Sequence, residues 1–361
     1  MSNLNKIPVT VITGFLGAGK TTLIRHLMQN PQGKRLAVVV NEFGTAGVDG
    51  EILKSCADEN CPAENIMELA NGCICCTVAD DFIPTIEQLM DLPEKPDHIV
   101  IETSGLALPK PLLKAFDWPA IRSRITVDGV VALADAEAVA KGQFATDLDA
   151  VQAQREADEG IDHETPLSEL FKDQISCADI VLLSKADLAG DAGVEQARST
   201  IEAEAPRKLP ILSMSEGVID PRVILGLEAA AEDDLDARPS HHEDHHHHHD
   251  DEHDHDHDHD HHHDHDHDAF DTIVVELGEV EDPEALQDAI VKLARERNIL
   301  RVKGYVAVSG KPMRMLVQAV GERLRAQYDQ PWGAQARKTQ LVVIAEHDNI
   351  NEPAIRAALG A

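Results

Sequence analysis

The sequence predicts an α/β fold, in which a doubly wound parallel sheet is followed by a smaller C-terminal α+β domain. Over the first 215 residues, short β-branched runs alternate with amphipathic stretches, as is typical of βαβ units. A segment of 28 consecutive His, Asp and Glu residues then divides the chain. Beyond it, strand and helix patterns no longer alternate regularly. The predicted cores consist of Ala, Val, Ile and Leu, because only 3% of the residues are aromatic.

The first part of the chain contains six runs that predict parallel strands. These runs are Ile7–Thr13, Leu36–Asn41, His98–Thr103, Ile125–Ala134, Asp179–Ser184 and Leu209–Met214. The amphipathic stretches between them are long enough for the right-handed crossovers that a parallel sheet requires. The clearest are Lys20–Gln29, Asp80–Met90 and Ala192–Glu204.

The last part of the chain predicts a mixed order of elements. The predicted strands are Thr272–Leu277, Ile299–Val308, Met313–Val320 and Thr339–Ala345, and the predicted helices are Pro283–Arg297 and Glu352–Leu359. The chain is therefore expected to comprise a nucleotide-binding domain over 1–238, a disordered linker over 239–269 and an α+β domain over 270–361.

Composition excludes several classes of partner. The 361 residues include 32 Lys+Arg against 65 Asp+Glu, a net charge of −33, which repels nucleic acid and anionic lipid. No apolar run approaches the ~20 residues of a membrane helix. The apolar stretch Ile7–Gly19 leads into Gly-Ala-Gly-Lys-Thr-Thr rather than a cleavage site, and six Cys are too few for a disulfide scaffold. We therefore expect a cytoplasmic protein.

A phosphate-binding loop follows the first predicted strand. The pattern G-x-x-x-x-G-K-[ST] lies between an apolar strand and an amphipathic helix, which is the context that this motif requires. We expect the Lys20 side chain to contact the β/γ oxygens as a catalytic group and the Thr21 hydroxyl to ligate Mg²⁺. The predicted nucleotide-binding residues of this loop are Gly14, Phe15, Leu16, Gly17, Ala18, Gly19, Lys20, Thr21 and Thr22.

Two further strand ends carry candidate residues. Glu102 ends the third predicted strand, where such folds place an acidic group near Mg²⁺ or the attacking water, and it is our second catalytic candidate. Ser184-Lys185-Ala186-Asp187 is similar to the Asn-Lys-x-Asp loop of GTPases, with Ser in place of Asn. Asp187 would accept from N1 and N2 of guanine, a donor pattern that adenine lacks. Ser213-Met214-Ser215 could complete the base pocket.

The Cys73-Ile74-Cys75-Cys76 segment predicts a metal site. Thiolates of Cys73, Cys75 and Cys76 suit tetrahedral Zn²⁺ or Co²⁺, and the segment lies in the interval where GTPases have their switch regions. Glu42, His98 or water would supply the fourth ligand. A redox dithiol and inert buried thiols are the alternatives.

The segment 241–268 predicts weak metal sites. It consists of sixteen His, ten Asp and two Glu, so it has no apolar side chain with which to form a core. Imidazoles and carboxylates on a flexible chain bind borderline divalent ions weakly and exchange them quickly. We therefore expect His241–His267 to buffer metal, and the alternative is a solvated spacer.

Taken together, these motifs resemble the CobW family of metallochaperone GTPases. The resemblance covers essentially the whole chain: the phosphate loop, Asn41-Glu42-Phe43-Gly44, the Cys motif, Glu102-Thr103-Ser104-Gly105, the Ser184 loop, the His-rich linker and the C-terminal domain. It implies GTP and Mg²⁺ as ligands and Co²⁺ as cargo for the aerobic cobalamin pathway, delivered to cobaltochelatase. Members of the family also serve zinc, so Zn²⁺ is the alternative cargo.

These features predict a nucleotide-driven switch. Mg²⁺·GTP would draw the segments of Glu42 and Glu102 toward the γ-phosphate and close the thiolate site, and hydrolysis would release the metal. Intrinsic hydrolysis is expected to be slow, because no motif places an arginine finger. Analogy with doubly wound GTPases suggests a nucleotide-dependent homodimer. A non-catalytic metal buffer and a small-molecule kinase are the alternative functions.

Overall fold

The structure is a computed structural model that describes residues 6–41, 53–58, 60–69, 82–157, 166–239, 270–333, 336–346 and 350–361. Its first unit is a seven-stranded parallel sheet with the strand order β3-β2-β4-β1-β5-β6-β7. The strands are β1 (Ile7–Gly14), β2 (Leu36–Asn41), β3 (Ile66–Leu69), β4 (His98–Glu102), β5 (Ile125–Asp135), β6 (Ile180–Ser184) and β7 (Ile211–Ser213). This confirms the predicted doubly wound α/β domain.

Helices cover both faces of this sheet, and the apolar residues of the strands pack against them in three clusters. The helices are α1 (Lys20–Gln29), α2 (Ile83–Met90), α3 (Pro109–Ala115), α4 (Pro119–Arg122), α5 (Ala136–Ala140), α6 (Leu148–Ala157), α7 (Leu167–Cys177), α8 (Ala186–Glu204) and α9 (Pro221–Ile224). Buried runs such as β4, with every residue inside, are what a parallel sheet covered on both faces requires.

The C-terminal unit is an antiparallel five-stranded sheet in the order β11-β10-β9-β12-β8. Its elements are β8 (Phe270–Leu277), α10 (Pro283–Arg297), β9 (Ile299–Val306), β10 (Met313–Val320), β11 (Arg323–Pro331), β12 (Thr339–Glu346) and α11 (Glu352–Leu359). The two helices pack with one face of the sheet around a separate apolar core. The predicted α+β class is therefore confirmed.

The two units meet at a buried cluster of charges below β6. The carboxylate Oδ1 of Asp179 accepts hydrogen bonds from Arg238 Nη2 at 2.7 Å and Arg323 Nη1 at 2.6 Å. The side chains of Asp179 and Arg238 are both 0% exposed. Burial alone would raise the pKa of Asp179, but the surrounding guanidinium groups lower it below its ordinary value. This ion cluster joins β11 of the second unit to the first.

Candidate nucleotide-binding site

The phosphate loop forms between β1 and α1 as the sequence predicts. Gly14 has a φ of 138°, and a Cβ there would lie 2.3 Å from the carbonyl oxygen of Leu133 on β5, so only glycine fits. The Lys20 ammonium donates to the carbonyl oxygens of Gly14 at 2.9 Å and Phe15 at 3.2 Å. The lysine side chain thus crosses the loop, which leads into the amino end of α1, where backbone amides and the helix dipole favour phosphate oxygens.

Thr21 and Glu102 come together beside this loop. Because β4 is the direct neighbour of β1, Glu102 pairs in register with Ile12 and lies at the carboxyl edge of the sheet. The Thr21 hydroxyl donates to Glu102 Oε1 at 3.1 Å, and the Glu102 side chain is buried. A hydroxyl and a carboxylate at this spacing suit Mg²⁺, a hard cation that prefers oxygen ligands.

The segment after Glu102 lies directly against the phosphate loop. A Cβ on Gly105 would come within 2.6 Å of the backbone nitrogen of Leu16, so this approach requires glycine. The Thr103 hydroxyl also donates to the Thr13 hydroxyl at 3.1 Å. A movement of the loop after β4 would therefore displace the phosphate loop or break its contacts.

The Ser184 loop reaches the same edge of the sheet from β6. A Cβ on Gly19 would lie 3.9 Å from Cβ of Ser184, so the loop adjoins the end of the phosphate loop. The Ser184 hydroxyl donates to the Ala134 carbonyl oxygen at 3.3 Å. Asp187 lies in the first turn of α8 and is exposed, and the amide of Ala186 donates to the Met214 carbonyl oxygen at 3.3 Å. The structure thus brings together both predicted parts of a base site.

Asp135 is a residue of this site that the sequence analysis missed. Lys185 adopts a left-handed backbone conformation, and its ammonium lies 2.5 Å from Asp135 Oδ2 and 3.3 Å from the Thr146 hydroxyl. Burial alone would raise the pKa of Asp135, but hydrogen bonds from Lys185 and Thr146 lower it overall. Asp135 therefore fixes the Lys185 stem. The sequence feature that could have identified Asp135 is a carboxylate at the end of an apolar strand, the same feature that identified Glu102.

An aromatic cluster supports the loop from below. The ring of Phe15 lies 5.9 Å from that of Phe144 and 6.2 Å from that of Phe171, measured between centroids. These rings bury Phe15, whereas the next residue, Leu16, is 39% exposed.

On the other side of α1, Thr22 contacts the turn at Gly217, where a Cβ would lie 2.6 Å from Thr22 Cγ2.

The predicted cargo-metal residues Cys73, Cys75, Cys76 and Glu42 lie outside the described residues, as does the His241–His267 tract. Within the described ranges, no group of three or more His, Cys, Asp or Glu side chains could hold a metal ion.

The remaining candidate ligand, His98, has a structural role. His98 lies at the amino end of β4, opposite Glu102, and its buried Nε2 is 2.8 Å from the Thr10 hydroxyl. Burial lowers the pKa of His98 to about 4. His98 therefore does not suit a ligand at the carboxyl edge. Burial also raises the pKa of the Cys61 and Cys177 thiols to about 12, which makes both inert.

The chain is similar to known proteins over nearly its whole length. The family model described as "CobW/HypB/UreG, nucleotide-binding domain" matches residues 8–212, and "Cobalamin synthesis protein cobW C-terminal domain" matches residues 270–361. A Sinorhizobium sp protein named "Zinc chaperone CobW" is 50% identical over 100% of this chain and 98% of its own length. A Pseudomonas aeruginosa protein of the same name is 48% identical over 96% and 89%.

Among solved structures, the crystal structure of the Zn(II)-bound YjiA GTPase from E. coli is 24% identical to this chain. It matches with a TM-score of 0.42 and covers 99% of this chain and 98% of that one.

In the part of the chain that the structure describes, no helix combines the length and apolar character needed to cross a membrane.

Proposed function

Because the chain belongs to the CobW family of nucleotide-binding proteins, we propose that it is a GTP-dependent metallochaperone carrying a divalent ion on Cys73, Cys75 and Cys76. The observation that carries this proposal is the hydrogen bond between Thr21 and Glu102 beside Lys20. It supports the proposal because a hydroxyl, a carboxylate and an ammonium lie together at one sheet edge, and these are the groups that would bind Mg²⁺ and the γ-phosphate.

The nucleotide half of the mechanism follows from the positions of these side chains. Thr21 and Glu102 would hold Mg²⁺, which, when bound, neutralises charge on the phosphate oxygens. Lys20 exchanges its carbonyl partners for phosphate oxygens. Asp187 accepts from the base, and Lys185, fixed by Asp135, covers one of its faces.

Topology supports a link between nucleotide and cargo. β3 ends at Leu69, and β2 separates it from β4 in the sheet. At the usual strand spacing, β3 and β4 are about 10 Å apart. Cys73 follows Leu69 by four residues, which can span about 13 Å when extended. The chain between Leu69 and Cys73 is therefore long enough to reach the sheet edge at Glu102. We propose that GTP closes the thiolate site and that hydrolysis opens it.

The cargo that we favour is Zn²⁺. Relatives about half identical to this chain carry the name zinc chaperone, and thiolate sites bind Zn²⁺ more tightly than Co²⁺ in the ordinary affinity order. A second candidate is Co²⁺ delivered to cobaltochelatase, which the description of the C-terminal family model as a cobalamin synthesis domain favours.

The experiment is a metal-release assay on the full chain loaded with Zn²⁺ and Mg²⁺·GTP in the presence of a chromophoric chelator. We expect release of Zn²⁺ to accompany phosphate release and to stop when a non-hydrolysable GTP analogue replaces GTP. Equal release with GTP and the analogue would contradict the proposal.

A metal buffer is the alternative that the acidic His tract favours. Removal of 241–268 separates the two functions. A buffer would lose nearly all of its bound metal, whereas a chaperone would retain one tight site that Cys75→Ser abolishes. ATP binding as tight as GTP binding would instead favour a kinase.

A further inference from the structure

A cavity of about 230 Å³ lies between the two units, and none of its lining residues belongs to the phosphate loop. One wall is the face of the C-terminal sheet that lies away from its two helices, where β9 and β12 are antiparallel neighbours. Arg301 pairs with Ile344 and Lys303 with Val342, so alternation along the strands places these four side chains on one face. Pro221, Leu225 and Lys34 of the first unit line the opposite wall.

Two cations converge in this cavity at Gly226. A Cβ built on Gly226 would lie 3.4 Å from Arg301 Nη2 and 3.7 Å from Lys34 Nζ. The two charged nitrogens are therefore separated by at most the sum of those distances, 7.1 Å. Like charges this close in a half-buried cleft repel each other unless an anion lies between them.

The nearby carboxylates are already engaged. Asp128 Oδ2 accepts hydrogen bonds from the backbone nitrogens of Gly226 at 2.6 Å and Leu227 at 3.0 Å. Glu228 forms an ion pair with Lys303. The charge of Asp128 favours the protonated forms of both Lys34 and Arg301, but in the described ranges neither Asp128 nor Glu228 forms a direct ion pair with either cation.

Other charged groups around the cavity form contacts of their own. Asp220 is held by Arg222 through both its Nε, at 2.9 Å, and its Nη2, at 2.5 Å. Arg301 uses Nη1 on backbone carbonyl oxygens, at 2.9 Å from Arg222 and 3.1 Å from Leu225. Across the described ranges, no carboxylate forms a salt bridge with Lys34. The pKa of Lys34 is lowered, mainly by burial. Asp128 acts in the opposite direction, and the positive charges of Arg301 and Lys303 lower the pKa further.

We propose that this cavity binds a small organic anion, whose carboxylate lies between Lys34 and Arg301 and whose apolar body packs against Val342 and Pro221. The volume of about 230 Å³ is below the roughly 300–1,000 Å³ of pockets for drug-sized ligands, so the ligand is small. Because Lys34 belongs to the first unit and Arg301 to the second, the bound anion bridges the two units. The site is independent of the proposed metallochaperone function.

The test is isothermal titration calorimetry of the full chain with benzoate as the probe. We expect one saturable site per chain, no measurable binding of the neutral isostere benzamide, and weaker binding of inorganic phosphate, which lacks an apolar body. Absence of saturable benzoate binding, or phosphate binding tighter than benzoate, would overturn the proposal.

Two variants locate the site. Lys34→Gln removes one charge and is expected to weaken benzoate binding about tenfold, in line with the loss of a charge-assisted hydrogen bond. Lys292→Gln, a change at a lysine whose side chain is 71% exposed on α10, is the matched control and should have no effect. Val342→Phe fills the cavity without changing charge and should abolish binding. Unchanged affinity in Lys34→Gln and Val342→Phe would overturn the assignment.

Discussion

The Thr21 hydroxyl donates a hydrogen bond to Glu102 Oε1 at 3.1 Å, although the two residues are 81 positions apart in sequence. Thr21 lies at the start of α1 and Glu102 at the end of β4. The pair exists because β4 inserts between β2 and β1 in the sheet. This hydrogen bond joins the phosphate loop to β4, and the loop that follows β4 contacts Leu16. A nucleotide bound at the phosphate loop could therefore change the position of the loop after β4.

Replacement of Thr21 by Val tests this pair. The change removes the hydroxyl that would ligate Mg²⁺ while nearly preserving volume, so we expect kcat for GTP hydrolysis to fall by about 100-fold or more. Phosphate release at increasing Mg²⁺ measures it. Thr21→Ser should retain most activity, and Thr200→Val on α8 is the control. Full activity in Thr21→Val would contradict the assignment.

Asp187→Asn tests base recognition. An amide cannot accept from both N1 and N2 of guanine, so GTP affinity should fall by roughly 10–100-fold. The amide donor matches the additional carbonyl of xanthine, and XTP affinity should rise. Competition titrations with the two nucleotides measure the exchange. The same substitution at the exposed Asp191, which follows the non-helical Gly190 in α8, should leave both affinities unchanged. A similar loss there would argue against a specific base contact.

Asp135→Asn tests the positioning of Lys185. Loss of the carboxylate charge releases the lysine stem, and we expect GTP affinity to weaken about tenfold because ordering of Lys185 must then occur on binding. Equilibrium binding measures the change, with Asp149→Asn as the control. If Asp135 acts only through stability, urea unfolding would shift while GTP affinity remained at its original value.

The sequence predicted the apolar strands better than the short or polar ones. Apolar runs such as β4 were identified because both faces of a parallel strand are buried. By contrast, β3 has only four residues, and β11 is a polar edge strand that ends in Pro331, so neither carries a strong pattern. The phosphate loop, the loop after Glu102 and the Ser184 loop meet at one sheet edge. The Asp135–Lys185 contact depends on strand adjacency, which no local motif encodes.

Asp179→Asn tests the charge cluster between the units. Removal of one partner from a buried ion cluster typically costs about 3–5 kcal/mol, so the free energy of unfolding should fall by that order. Because the folded-state pKa of Asp179 is lowered, its contribution is present above its ordinary pKa of 3.8 and is lost as pH falls through the folded value. Urea unfolding at pH 7 and under acid conditions measures both. Asp236→Asn, an exposed change, is the control, and an equal effect there would contradict a specific role for the cluster.

Whether GTP closes the thiolate site can be tested by a Co²⁺ titration of the full chain with Mg²⁺·GTP or Mg²⁺·GDP, followed by visible and near-ultraviolet absorption. The difference between the native chain and Cys75→Ser/Cys76→Ser isolates the thiolate site from the His tract. We expect a tetrahedral thiolate spectrum, and a Co²⁺ affinity roughly 5–150-fold higher with GTP than with GDP, the usual range of coupling between two sites. Equal Co²⁺ affinity with GTP and GDP would contradict it.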